Sequence, residues 1–462
     1  RTLEMEATAA SPRFKQHALR HLAAIASAQG RSADAAAYLE QIASTTPGTD
    51  GASEAALDRA SLLLGQGEYS KAAAACAAFI KANPNHPRLS QARTQHAIAM
   101  SRMGKLEEAL KAFDGLASDQ SSLDPALAAA AAYERAWALS QTKRPKEAAA
   151  AYAALLTSNP EPRIEAHAAL DLAQLKIAGG DFVSALPLLE QAKNAAQSSS
   201  LTPLAARCTY LRGVCQLRAG QPADAAVTLA DFETAFPGSD LLDSAAVTLG
   251  ESLLSSGQAA QAVKVLSVVA ERASQPPLHS AALLRLGEAA AAASDWPASE
   301  HAFAKHRQLF EDSDQWFRAA FGLGFALENG GKRDAAIAAY RTVIANHDGP
   351  TAARAQFQIG ECLYGLGRLD EAVAELLKVD ILYQYPQWSA PALYEAGRCL
   401  VEQKKHAQGL AQFEQVTTRF PESQWAKAAS DAAAAARPAA MPALPGRDTS
   451  PSIRPAPSGS NK

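Results

Sequence analysis

Charge of one sign, long apolar runs and paired cysteines are all scarce in this chain of 462 residues. Lysine and arginine number 44 against 47 aspartates and glutamates, a net −3, and no basic block stands out. Phosphate backbones are gripped by clustered cations, so this balance argues against a nucleic-acid partner. No apolar run is long enough for a transmembrane helix. Glycine (27) and proline (25) are too few for a mostly disordered chain. Aromatics make up only 6%, and 108 alanines swell the 48% hydrophobic share with a side chain that buries little area. The five cysteines, Cys76, Cys208, Cys215, Cys362 and Cys399, form no C-x-x-C. Cys208 and Cys215 fall two turns apart on one helix face, too far for a disulfide. All five read as small buried hydrophobes and leave the redox compartment open.

Signatures of chemistry are missing as well. There is no P-loop and no G-x-S-x-G. Gly322-Leu-Gly324 lies inside a predicted helix with no strand before it, which excludes a dinucleotide loop. His17 and His21 have zincin spacing, but Ala18 stands where the motif needs glutamate and no third ligand follows. His301 and His306 do not share a helix face. Aspartates and glutamates fall mostly at solvated helix positions, so no carboxylate pair is singled out for acid–base work. The chain therefore reads as a non-enzyme with no cofactor and no metal site. It begins at Arg1 without a charged-then-apolar leader, so either a targeting segment has been removed or the sequence is a fragment.

What is present is a beat. Gly67-Glu-Tyr-Ser-Lys-Ala72, Gly104-Lys-Leu-Glu-Glu-Ala109, Gly180-Asp-Phe-Val-Ser-Ala185 and Gly367-Arg-Leu-Asp-Glu-Ala372 each place alanine five residues after glycine. The same phase runs through Gly30, Gly220, Gly257 and Gly331, and degrades at Lys143, Ser294 and Lys404. These eleven markers are spaced 37, 37, 39, 37, 40, 37, 37, 37, 36 and 37. Apolar residues at helical spacing lie on both sides, as in Phe357, Gly360, Leu363 and Tyr364 upstream of Gly367 and Ala372, Val373, Leu376 and Leu377 downstream. Each unit is thus two helices joined at a marker, where a left-handed residue ends the first. Pro145, Pro222 and Pro297 fall in the first turn of the second helix. Pro87, Pro125, Pro162, Pro203, Pro277 and Pro350 are expected between pairs, and Pro47, Pro84, Pro160, Pro237 and Pro421 at the end of second helices. Pro187, inside a second helix, is expected to kink it. The two longer spacings coincide with Ser118-Asp-Gln-Ser-Ser122 and Gln197-Ser-Ser-Ser200, read as loop insertions.

Seven residues before each marker stands a small residue: Ala23, Ala60, Ala97, Ala136 and Ala173, then Gly213, Gly250, Gly287, Gly324, Gly360 and Gly397. A large side chain there would hold the paired helices apart. Small residue, glycine turn, alanine and closing proline at these offsets resemble the tetratricopeptide repeat family over roughly residues 13–436, with a period near 37 instead of about 34. The resemblance implies an all-α fold, a right-handed superhelical solenoid of about eleven antiparallel helix pairs, each stabilised by its neighbours. The expected organisation is a remnant of an earlier repeat or a leader at 1–12, repeats at 13–421, a capping helix at 422–436 and a proline-rich disordered tail at 437–462. Trp425, Ala428, Ala429 and Ala432 are the cap's expected apolar side.

The family lines its concave groove with side chains thirteen, ten and six residues before the marker. Carried onto this chain, that implies Arg207, Arg318 and Arg354; Tyr133, Tyr210, Phe321, Phe357 and Tyr394; and Trp137, Phe325, Glu361 and Arg398, with Glu251 and Glu288 at the same offset. Arginine and aromatics are the residue types that dominate binding hot spots. The lysine and asparagine set of the family's chaperone clamp is absent. The function implied is a scaffold that binds a partner protein or extended peptide. Phe236-Pro-Gly-Ser239 and Phe420-Pro-Glu-Ser423, with Tyr385-Pro-Gln-Trp388 as a looser version, resemble junctions in bacterial cell-envelope members such as the outer-membrane assembly lipoprotein and the Tol-Pal coordinator. Their proline would stop one helix and their serine cap the next. That resemblance implies a periplasmic or outer-membrane-associated protein. Two alternatives remain: a periplasmic solenoid assisting polysaccharide export, and a cytoplasmic adaptor docking an enzyme. The partner and the oligomeric state are not legible.

Overall fold

A computed structural model describes residues 12–45, 48–116 and 123–440. Residues 1–11, Pro47, the serine-rich segment at 118–122 and the tail from 441 lie outside the described residues. Every regular element among the described residues is a helix, as the two-helix reading requires.

Within each unit, helices pair about the markers. In the first compact unit, residues 1–256, the pairs are Pro12–Ala28 with Ser32–Thr45, Asp50–Gly65 with Tyr69–Ala82, and Leu89–Arg102 with Leu106–Gly115. They continue with Pro125–Gln141 and Pro145–Thr157, then Pro162–Ala178 and Phe182–Ser198. In the sixth repeat Thr202–Arg218 faces a second helix broken into Pro222–Leu229 and Phe232–Ala235. Leu242–Ser255, the first helix of repeat 7, closes this unit. The second unit, residues 257–462, opens with Ala259–Arg272. It then pairs Pro276–Ala292 with Trp296–Leu309, Trp316–Asn329 with Arg333–Asn346, Pro350–Gly365 with Leu369–Leu382, and Pro386–Glu402 with His406–Arg419. Trp425–Ala440 follows as the last helix. Within each unit, substantial packing among the described residues joins helices that are neighbours in the chain or one apart, counting the broken helix as one. That is the contact pattern of stacked repeats.

The marker turns share one geometry. All eight marker glycines have φ between 70° and 80°. The degraded markers adopt it too: Lys143 and Ser294 at 59° and Lys404 at 64°. The following N–H reaches back to close the helix, as from Glu68 to the Leu63 carbonyl at 2.9 Å and from Lys332 to Leu327 at 2.8 Å. A residue with a Cβ is strained in this region, by roughly 1–2 kcal/mol. Lys404→Gly is therefore expected to stabilise the second unit by about 0.5–1 kcal/mol, after the entropy that glycine adds to the unfolded chain. A urea midpoint unchanged or lowered would show that the lysine is not strained there.

The residue nine after each marker is buried, and within a unit it plugs its pair. Leu39, Cys76, Phe113, Tyr152, Leu189, Leu229, Leu266, Phe303, Tyr340, Leu376 and Phe413 are all at most 7% exposed. Where the small residue is glycine, the plug fills its space. A Cβ on Gly213, Gly287, Gly324, Gly360 or Gly397 would lie 2.5–2.7 Å from Leu229, Phe303, Tyr340, Leu376 or Phe413 respectively.

Prolines depart from the expected scheme in one respect. Pro125, Pro162 and Pro350 begin first helices, and Pro203 and Pro277 occupy their second residue. They start helices instead of lying between pairs, because an N–H missing in the first turn breaks no helical bond. Only Pro87 lies outside, two residues before Leu89. Pro145, Pro222 and Pro297 sit in the first turn of second helices, as expected. Pro187 lies inside Phe182–Ser198, which runs through it, and a buried Pro391 lies inside Pro386–Glu402. The junction serines do not cap helices. Ser239 Oγ accepts from Leu241 N at 3.2 Å, one turn before the helix, and Ser423 Oγ is buried with no partner. The last helix buries Ala429, Ala433 and Ala436, with Trp425 and Ala432 partly covered, so its apolar side is rotated slightly from the expected one. All five cysteines are buried and free. Burial pushes Cys76, Cys208, Cys362 and Cys399 up to about 12 and Cys215 to about 11.

Candidate functional site

In the first unit, the expected groove side chains are mostly tied into packing. Tyr133 donates to Asp171 Oδ2 at 2.8 Å and lies 5.9 Å from the Tyr152 ring. Tyr210 packs beside Leu229 and Phe232. Trp137 has the Arg102 guanidinium 5.6 Å from its ring, and Arg102 also bonds Glu134, a buried carboxylate. Arg207 is exposed. A hollow of about 840 Å³ in this unit has Asp114 and Pro125 on its rim.

In the second unit the first helices of repeats 8–11 bring the expected residues into one connected surface. Arg318 donates to Glu288 Oε1 at 2.6 Å and to Gln315 Oε1 at 2.8 Å. Phe325 meets Trp296 edge to face at 6.1 Å. The Arg354 guanidinium stands 4.5 Å from the Phe321 ring and 5.6 Å from the Trp388 ring. Trp388 in turn lies 6.0 Å from Phe357. Arg398 donates to Glu395 Oε2 at 2.7 Å and covers the Tyr364 ring at 5.4 Å. Tyr394 is held between Phe413 and Trp425, at 5.8 and 5.2 Å. A cleft of about 370 Å³ opens among Phe303, Phe321, Gly322, Phe325, Thr351 and Arg354, with Glu288 and Arg318 at one side. Guanidinium over aromatic faces contributes roughly 0.5–1 kcal/mol at exposed sites and more when dry.

Sequence reasoning missed Trp388, sixteen residues before its marker and so off the expected rows. It also missed Glu328, a carboxylate beside the face. Glu328 Oε2 accepts from Tyr340 Oη at 2.8 Å and from Gln358 Nε2 at 2.9 Å. Glu361 has no such help: its Oε1 is buried without a partner. Burial first, then the charges of Glu395 and Glu328, push its carboxyl up to about 7, against the pull of Arg398. A carboxyl raised in the folded state holds a proton that the unfolded chain has already released. The second unit therefore loses stability as pH rises from about 4.5 to about 7. Glu361→Gln is expected to remove that loss, roughly 1–2 kcal/mol after discounting solvent screening. Its melting temperature should exceed that of the unaltered chain at pH 8 and match it at pH 5; an equal pH dependence in both would contradict the assignment.

Among the described residues, no three His, Cys, Asp or Glu side chains cluster as a metal site would, and no helix is long and apolar enough to cross a membrane. The comparisons with known proteins agree on the repeats. One tetratricopeptide repeat model matches residues 94–161, 170–240, 247–314 and 321–386, and two further models of that description match 26–96 and 391–423. No curated protein matches. Among solved structures, the chain is similar to a tetratricopeptide repeat protein from Parabacteroides merdae, at 16% identity over 59% of this chain and 99% of that one, TM-score 0.40. It is also similar to the C-terminal part of a TPR repeat-containing protein from Cytophaga hutchinsonii, at 11% identity over 57% and 98%, TM-score 0.45. A third similarity is to the APC/C hetero-tetramer Cut9-Hcn1, at 14% identity over 91% and 96%, TM-score 0.37.

Proposed function

The chain belongs to the tetratricopeptide repeat family, and from that premise we propose that it holds a partner protein by an extended segment laid across the first helices of repeats 8–11. Repeats of this family build protein–protein interaction scaffolds, and this chain is one. The observation that carries the narrower reading is the row Phe321, Phe325, Phe357 and Trp388 interleaved with Arg318, Arg354 and Arg398. Planar, stiff and amphipathic side chains lose little entropy when they meet a partner, so they contribute disproportionately to affinity. The place proposed is the bacterial cell envelope, periplasmic or outer-membrane-associated. The Phe-Pro-x-Ser junctions at Phe236 and Phe420 support that reading.

The test is capture from the native host, with the unaltered chain and with Arg354→Ala plus Phe357→Ala. The double variant is expected to lose the partner while circular dichroism stays unchanged. Bound partner should slow hydrogen exchange in Pro276–Ala292, Trp316–Asn329 and Pro350–Gly365. Equal capture by both chains would move the site elsewhere. A response to glycan alone, read as altered tryptophan fluorescence, would replace the peptide by a polysaccharide. Fractionation with the cytoplasmic pool would remove the envelope assignment.

A further inference from the structure

The charge of Arg354 is unanswered, and that narrows what the partner segment carries. The two neighbouring arginines of the same face are ion-paired: Arg318 with Glu288 and Arg398 with Glu395. Arg354, exposed on the first helix of repeat 10, has no carboxylate within ion-pair distance among the described residues. Its contacts are the flat faces of Phe321 and Trp388. Its guanidinium donates no hydrogen bond to another described residue, so its N–H donors are unused. The Arg354 side chain borders the cleft among Phe303, Phe321, Gly322 and Phe325. Gly322 lets the Phe303 ring close against the wall of the cleft; a Cβ there would lie 2.4 Å from that ring. The carboxylate at its side, Glu288, is already shared by Arg318 and Arg285. An apolar hollow thus stands beside a held cation with free donors and no counter-charge of its own.

Resting on the reading of this face as a protein-binding surface, we propose that the cleft takes a bulky apolar side chain of an extended partner segment, with an internal aspartate or glutamate of that segment accepting hydrogen bonds from Arg354. The aromatic pair holds the guanidinium beside the cleft, where a planar carboxylate can accept from its N–H groups. A basic residue at the same point would be repelled.

The test is selection of displayed random peptides, fused so that no free C-terminus is offered, on the full chain and on Arg354→Ala. Arg354 is exposed, and unchanged circular dichroism will show that the variant folds. The expected sequences pair a bulky apolar residue with aspartate or glutamate one or two positions away. A labelled peptide of that kind should lose about tenfold or more in affinity when its acid becomes the amide, and as much on Arg354→Ala. Combining the two changes should cost no more than either alone, the mark of a direct pair. Peptides that bind the first helices of repeats 8–11 without an acid, or bind Arg354→Ala equally well, would overturn this inference and leave the scaffold reading standing. No enrichment by the unaltered chain would overturn both.

Discussion

Gly360→Leu is expected to destabilise the second unit by roughly 3 kcal/mol, at the upper end of what overpacking a closed core costs. Gly360 faces Leu376, which is wholly buried, and a Cβ there would already stand 2.5 Å from the Leu376 Cγ and Cδ2. Neither group can swing into solvent, so the two helices must separate. Separation removes burial from Ile359, Cys362 and Leu363 together. The measurement is a urea melt of the full chain, with two companions. Leu376→Ala in the same chain should return part of the loss, because it vacates the space the new side chain needs. Gly65→Ala, at a helical glycine with nothing within 4 Å of its Cβ position, should leave the midpoint unchanged or raise it. An unchanged midpoint for Gly360→Leu would show that the helices are not in close contact at that position.

Phe303→Ala is the second large effect, at about 3–5 kcal/mol. The ring is 2% exposed and serves two helices at once. Cβ atoms on Gly287 of repeat 8 and Gly322 of repeat 9 would approach it to 2.7 and 2.4 Å. Removing the ring leaves a void walled by two glycines, which have no side chains to collapse into it. The sign of a neighbouring change should therefore invert. Gly287→Ala clashes with the ring and destabilises the unaltered chain. In the Phe303→Ala background it gains helix propensity, worth about 1 kcal/mol, and fills space. Additive effects of the two changes would mean that the ring does not occupy the glycine's space.

The sequence carries the turns in plain sight because a left-handed residue is a local demand, met mostly by glycine and legible one position at a time. Lys143, Ser294 and Lys404 keep the geometry without the glycine, and only the beat identifies them. The plug nine residues on was harder to see. Leu, Phe, Tyr and Cys all serve, so the position shares size and burial and no single residue type. A first turn and a gap lie within two residues of each other, so the sequence alone does not separate a helix-starting proline from one between helices. On the candidate face, the family resemblance implies Arg318, Phe321, Arg354 and Phe357 as groove residues. It could not say which neighbour each would lean on. Trp388 comes from the next repeat to meet Arg354 and Phe357, and a periodic count within one repeat does not register such a contact. The family's groove positions imply Glu361, but its raised carboxyl comes from burial first and then from Glu395 and Glu328, again on adjacent repeats.

The account stands on the interchangeability of the helix pairs, and excision of one full period tests it most directly. Removing residues 331–366 joins Gly330 to Gly367 and sets Gly324 opposite Leu376 at the sixteen-residue interval that now separates Gly324 from Tyr340. The shortened chain should keep the same helical dichroism per residue and unfold cooperatively at a lower urea concentration, since one set of neighbour contacts is gone. Loss of helix throughout the second unit would contradict the account, because a fold built on contacts distant in sequence cannot survive the removal of its middle.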